Sequence, residues 1–153
     1  MDIVNKSLIK DKCYINGEWI DSYSKESIEV NNPSSLKIIA KVPKCGKEET
    51  NFAIMKANEA WSNWKNKPAI ERSSLLKKWF NLIEDNHEDL AKIMTLEQGK
   101  PIIESRGEIT YGASFVEWFA EEAKRIYGDT IPDRLTDRRI IVIKQPVGVV
   151  AAI

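Results

Sequence analysis

The chain has 153 residues, 42% apolar and 30% charged, with 23 acidic and 23 basic side chains in balance. That composition excludes disordered and fibrous classes, and the neutral balance leaves no overall electrostatic footprint for nucleic acid or an anionic membrane. No apolar run reaches the ~18 residues a membrane helix needs, no secretory h-region precedes Lys12, and two cysteines with one histidine make no zinc site. The expectation is a cytoplasmic globular protein with no nucleic-acid or membrane partner, in which Cys13 and Cys45 are small hydrophobes of a reducing compartment.

The first third reads as strands. Asn16-Gly17 lies between short apolar stretches, Tyr14-Ile15 and Trp19-Ile20, which is the strongest short-range hairpin signal. Two more extended segments follow at residues 27–31 and 36–42, separated by Asn32-Pro33-Ser34-Ser35 and closed by Pro43. After Gly46 the apolar period changes from two to about 3.6. Ala53, Ala57, Ala60, Trp61 and Trp64 then mark one side of a first helix that ends near Pro68. A second helix, residues 69–86, carries a broad stripe including Leu75, Leu76, Trp79, Phe80 and Ile83. A third begins at His87, with Glu88 and Asp89 at the positive end of its dipole, and stops at Gly99.

Pro101 opens the fourth and longest predicted helix, residues 101–127, about 40 Å long at ~1.5 Å per residue, with Gly128 as its cap. Gly107 and Gly112 inside it predict close approach by another element. Residues 129–136 are expected to loop and 138–144 to form a strand. Residues 147–153, an uninterrupted apolar run after Pro146, resemble the opening of a strand buried on both faces in a parallel sheet. On that reading the chain is the first part of a domain whose remainder follows.

A search for chemistry finds little. His87 sits among Glu84, Asp85, Glu88 and Asp89 and reads as a solvated capping histidine. Gly107 and Gly112 have phosphate-loop spacing, but Ala113 stands where the lysine must be. No G-x-G-x-x-G dinucleotide fingerprint occurs. Glu97 reads as a surface acid, Trp61, Trp64, Trp79 and Trp118 as core, and Arg134, Arg138 and Arg139 as a solvated or ion-paired segment rather than a nucleic-acid patch.

In order, Ile15-Asn16-Gly17-Glu18-Trp19, Asn32-Pro33, Met94-Thr95-Leu96-Glu97-Gln98-Gly99-Lys100-Pro101 and Gly128-Asp129-Thr130-Ile131-Pro132 resemble the N-terminal part of an aldehyde dehydrogenase, from about Tyr14 to Ile153. Residues 115–128 and 141–149 are similar to the succinate-semialdehyde dehydrogenase branch, whose relatives acting on glutarate semialdehyde share much of this region. The resemblance implies an α/β fold, here the mostly helical N-terminal part of a cofactor domain with about four helices, a short N-terminal hairpin and strands, and two C-terminal strands. Residues 1–136 would be the N-terminal half of that domain, 137–146 an oligomerisation strand, and 147–153 the first strand of an incomplete Rossmann-like sheet.

The implied enzyme is about three times this length, oligomeric, and oxidises an aldehyde to an acid with NAD or NADP. Its nucleophilic cysteine, oxyanion-holding asparagine and water-activating glutamate would all lie beyond Ile153. This chain therefore carries no catalytic residue, is expected to be inactive alone, and should hold the cofactor poorly. By position the resemblance places Ile153 beside the cofactor, Gly107, Tyr111, Phe115 and Trp118 along the substrate entrance, and Glu97 with the Val30 carbonyl at a structural monovalent cation. A helical interaction module that assembles with a separately encoded remainder is the alternative.

Overall fold

The Asn16-Gly17 pair folds as its chemistry requires. In the computed structural model, which describes residues 2–153, strands β1 (Cys13–Ile15) and β2 (Glu18–Ile20) pair antiparallel around it. Asn16 and Gly17 take φ of 54° and 83°, the two positive values of a type I′ turn. Strands β3 (Ser27–Asn31) and β4 (Ile38–Pro43) form a second antiparallel pair, with a bulge between Val30 and Asn31. Asn32 Oδ1 accepts the N–H groups of Ser34 and Ser35 and so shapes the connecting turn.

Helix α1 (Lys47–Trp64) starts on Gly46, where Glu49 does the capping. Its carboxylate accepts the Gly46 N–H at 2.8 Å and the Tyr23 N–H at 2.6 Å, tying the helix start to the segment after β2. Helix α2 (Ala69–Asp85) follows Pro68, and α3 (His87–Gln98) closes on Gly99 in the left-handed conformation, φ 77°. Asp89, in the first turn of α3, accepts the N–H groups of Asn5 at 2.7 Å and Val4 at 3.2 Å and fastens the N-terminal segment to the helix.

Both carboxylates are held below their ordinary pKa values. For Glu49 the main cause is the N–H of Tyr23, then that of Gly46; for Asp89 it is the N–H of Asn5, then that of Val4, with Lys92 adding to them. Such acids titrate near ~4 in an unfolded chain. A folded pKa below the unfolded one gives stabilisation that is complete above the unfolded value and is lost as pH falls through the folded value. The urea midpoint is therefore expected to hold steady down to about pH 5 and to fall below about pH 4. In the Glu49→Gln, Asp89→Asn double variant the midpoint should start lower and vary less across that acid window.

Helix α4 (Ile102–Glu122) packs against both α2 and α3. Its buried positions are Ser105, Ala113 and Ala120, facing a layer in which Ser73 of α2 and Ala91 of α3 are also buried. Small residues at these crossings let the helix axes approach closely. The Ser105 and Thr95 hydroxyls share a hydrogen bond at 2.9 Å between α4 and α3. Lys77 of α2 reaches Glu121 of α4 at 2.5 Å.

Several expectations need correction. Trp64, Trp79 and Trp118 are 40%, 56% and 66% exposed and do not form a core; only Trp61 is half-buried. Their stripes are apolar, but the faces in contact are the small-residue ones. Gly107 and Gly112 meet no close neighbour. α4 has 21 residues and ends five short of Tyr127, because the chain must turn there to form a hairpin. That hairpin pairs β5 (Asp129–Ile131), in the segment expected to loop, with β6 (Ile140–Val142). Gly128 is not the helix cap. It lies against the β6 backbone, where a Cβ would sit 2.1 Å from the Val142 carbonyl oxygen. Residues 147–153 carry no regular secondary structure here and pair with none of the described residues, which leaves the expectation of a strand in a larger sheet untouched.

Candidate functional site

The outward side of α4 carries the aromatic residues singled out by the resemblance. Spacings of four and three put Tyr111, Phe115 and Trp118 in one sector of the helix, with Gly107 a turn before them. The three are 64%, 46% and 66% exposed, and the Tyr111 and Phe115 rings meet edge to face with centroids 4.8 Å apart. Phe115, Trp118 and Phe119 line an open depression of about 760 Å³, rimmed by Ser114, Glu117, Glu121, Glu122 and Arg125. Phe119 and Arg125 were not anticipated; Phe119 was legible as the residue four after Phe115.

The rim is electrically satisfied. Glu121 is held at a pKa of about 2, first by the hydrogen bond from Lys124 and then by that from Lys77. Arg125 pairs with Glu122 at 2.8 Å. The Ser114 hydroxyl donates to the Tyr111 carbonyl at 2.7 Å, so it is not aimed at a ligand. This depression can shelter an apolar surface, but it contains no nucleophile beside a base.

Val30 and Glu97 do come together. Both line a cavity of about 390 Å³ between the N-terminal segment, the β3–β4 pair and α3, with Ile39, Val42, Ile93 and Leu96 as apolar wall. Glu97 supplies one carboxylate, but Lys10 lines the same wall as a competing cation, and no cluster of three or more metal-binding side chains occurs among the described residues. Hard cations need about six oxygen donors. Among the described residues lining this cavity Glu97 alone carries a side-chain oxygen, so other donors would be backbone carbonyls such as that of Val30.

Ile153 is fully exposed. His87 lies at the start of α3 as expected, but it also bridges to α4, with Nε2 3.0 Å from the Arg106 carbonyl and 3.0 Å from the Thr110 hydroxyl. Arg138 is ion-paired with Asp133 at 3.5 Å and Asp137 at 3.6 Å. Among the described residues no helix is long and apolar enough to cross a membrane.

Helices α2, α3 and α4 packed together, with α1 and the antiparallel strand pairs beside them, make an α/β unit that turns an aromatic sector outward. The family model described as "Aldehyde dehydrogenase family" matches residues 19–153, and the chain belongs to that family. It is 53% identical over all 153 residues to the glutarate-semialdehyde dehydrogenase of Pseudomonas putida and 52% identical to the NADP(+) succinate-semialdehyde dehydrogenase of Escherichia coli. It spans 32% of the length of each, about a third of the curated relatives it matches. Among solved structures, succinate-semialdehyde dehydrogenase from Burkholderia pseudomallei superposes with a TM-score of 0.93 at 46% identity, covering 97% of this chain and 31% of that one.

Proposed function

We propose that these 153 residues are the N-terminal part of the cofactor domain of an NAD(P)-dependent dehydrogenase that oxidises succinate semialdehyde to succinate, with glutarate semialdehyde the nearest competing substrate. The carrying observation is the unbroken match, at 52–53% identity across the whole chain, to enzymes named for those two aldehydes. The nucleophile, base and oxyanion donor belong to the two thirds of such an enzyme that this chain does not span. By itself the chain does not turn over.

On this reading the α4 face formed by Gly107, Tyr111, Phe115 and Trp118 is one wall of the substrate entrance, and its exposed rings are covered or faced by the catalytic portion. Residues 137–146 pair with a neighbouring subunit, and 147–153 become the first strand of a parallel sheet whose end, Ile153, borders the cofactor. Glu97 and the Val30 carbonyl hold a monovalent cation only once further oxygen donors complete the shell. The working compartment is the cytoplasm. Where the rest of the enzyme is supplied as a second polypeptide, the chain acts as an assembling subunit.

The purified chain should give no NAD(P)H with succinate or glutarate semialdehyde. Co-expressed with the C-terminal two thirds of the E. coli relative, it should co-elute and restore turnover, with the ratio of kcat/KM for the two aldehydes naming the substrate. Reduction of NAD(P) by the chain alone would overturn its assigned inactivity. Failure to co-elute at micromolar concentration would overturn the assignment as an assembling part of the enzyme.

A further inference from the structure

Two side chains outside every site described so far lie against each other. Cys13 opens β1, and Cys45 immediately precedes Gly46, from which α1 starts. They are 32 positions apart in sequence, yet their sulfurs are 3.5 Å apart. Both are free and half-buried, neither lines the α4 depression or the Val30–Glu97 cavity, and the chain has no other cysteine. The pair sits where two separately folded pieces meet, since Glu49 joins the segment after β2 to the start of α1 by its bonds to Tyr23 and Gly46.

We propose that Cys13 and Cys45 form a reversible dithiol–disulfide pair that, when closed, locks the β1–β2 hairpin to the N-terminus of α1. The oxidant is a small-molecule disulfide of the glutathione class. One protein thiolate attacks its S–S bond, leaving a mixed disulfide and releasing one glutathione thiolate. The second protein thiolate attacks the protein sulfur of that mixed disulfide, forming the Cys13–Cys45 bond and releasing the second glutathione thiolate. Two electrons pass from the pair to the oxidant, and the two thiol protons end on the two glutathiones.

The fold prepares this step. The sulfurs need to approach by only about 1.5 Å to reach bonding distance. Ordering of the intervening residues, which an unfolded chain would have to achieve on closure, is already complete. Burial, the hydrogen bond to Cys13 and the charges of Cys13 and Glu49 push the Cys45 thiol up to about 11. Little of Cys45 is therefore thiolate at neutral pH, which slows its attack on a disulfide and makes closure faster as pH rises.

The full chain equilibrated in glutathione redox buffers, acid-quenched and digested, should yield a peptide pair linking Cys13 to Cys45, with loss of both titratable thiols in the monomer and their return on adding dithiothreitol. The equilibrium constant for closure against glutathione should be at least about tenfold larger in native buffer than in urea. Cys13→Ser and Cys45→Ser should each give a single glutathione adduct and no linked pair. Stable glutathione adducts on both cysteines, disulfide-linked dimers only, or a closure constant no larger than in urea would each overturn the proposal, and all three are read on the unsubstituted chain.

Discussion

Replacing Ala120 by Leu is expected to lower the unfolding free energy by about 2–3 kcal/mol, measured as a shifted urea midpoint with an unchanged slope. Ala120 is fully buried, and the Lys77–Glu121 ion pair beside it marks where α2 crosses α4. A leucine there must push α2 away or twist into a strained rotamer. Trp118→Ala, two residues earlier on the exposed side, removes a far larger side chain and should change the stability of this chain by no more than about 0.5 kcal/mol. Equal costs at the two positions would show that the small-residue stripe is not the packed side of α4.

Replacing Gly128 by Ala should open the β5–β6 hairpin while leaving the four helices intact. The added carbon would lie 2.1 Å from the Val142 carbonyl oxygen and 3.2 Å from its carbonyl carbon, and those atoms are backbone with no flexible end to move. Relief requires separating Asp129 from Val142, the pair at one end of a hairpin with only three. A two-stranded ribbon of that size does not withstand an overpacking cost of about 1–3 kcal/mol. Amide exchange at residues 129–131 and 140–142 should rise to open-chain rates while α4 keeps its protection. In an assembled enzyme the same substitution should weaken self-association, since the proposed intersubunit strand includes β6.

What the sequence disclosed follows the range of the forces involved. The Asn16-Gly17 turn, the stop at Gly99 and the restart after Pro101 depend on a few neighbouring residues, and each lies where local chemistry places it. The end of α4 does not: Ala123, Ile126 and Tyr127 continue its apolar period, and only the need to bring β5 beside β6 halts the helix at Glu122. Periodicity likewise finds two apolar stripes on α4 without saying that Ala113 and Ala120 face inward and the aromatic residues outward. Residues 147–153 have strand composition, but a strand exists only with a partner. Of the candidate site, spacing shows that Tyr111, Phe115 and Trp118 share one sector of α4, while their choice as an entrance wall came from the family resemblance. The meeting of Val30 with Glu97 joins β3 to α3, far apart in the chain, and was visible only through family resemblance.

The grip of Asp89 on Val4 and Asn5 also sets an order of events during synthesis. The partners are 84 and 85 positions apart, so Val4 and Asn5 leave the ribosome well before α3 and their bonds to Asp89 wait until it has emerged. At roughly 5–20 residues per second that interval is about 4–17 s. Through it the N-terminal segment stays open to modifying enzymes and chaperones, while β1–β2, β3–β4 and α1, whose own pairings are local, can already form. Val4 and Asn5 are made before α3 and fixed only after it.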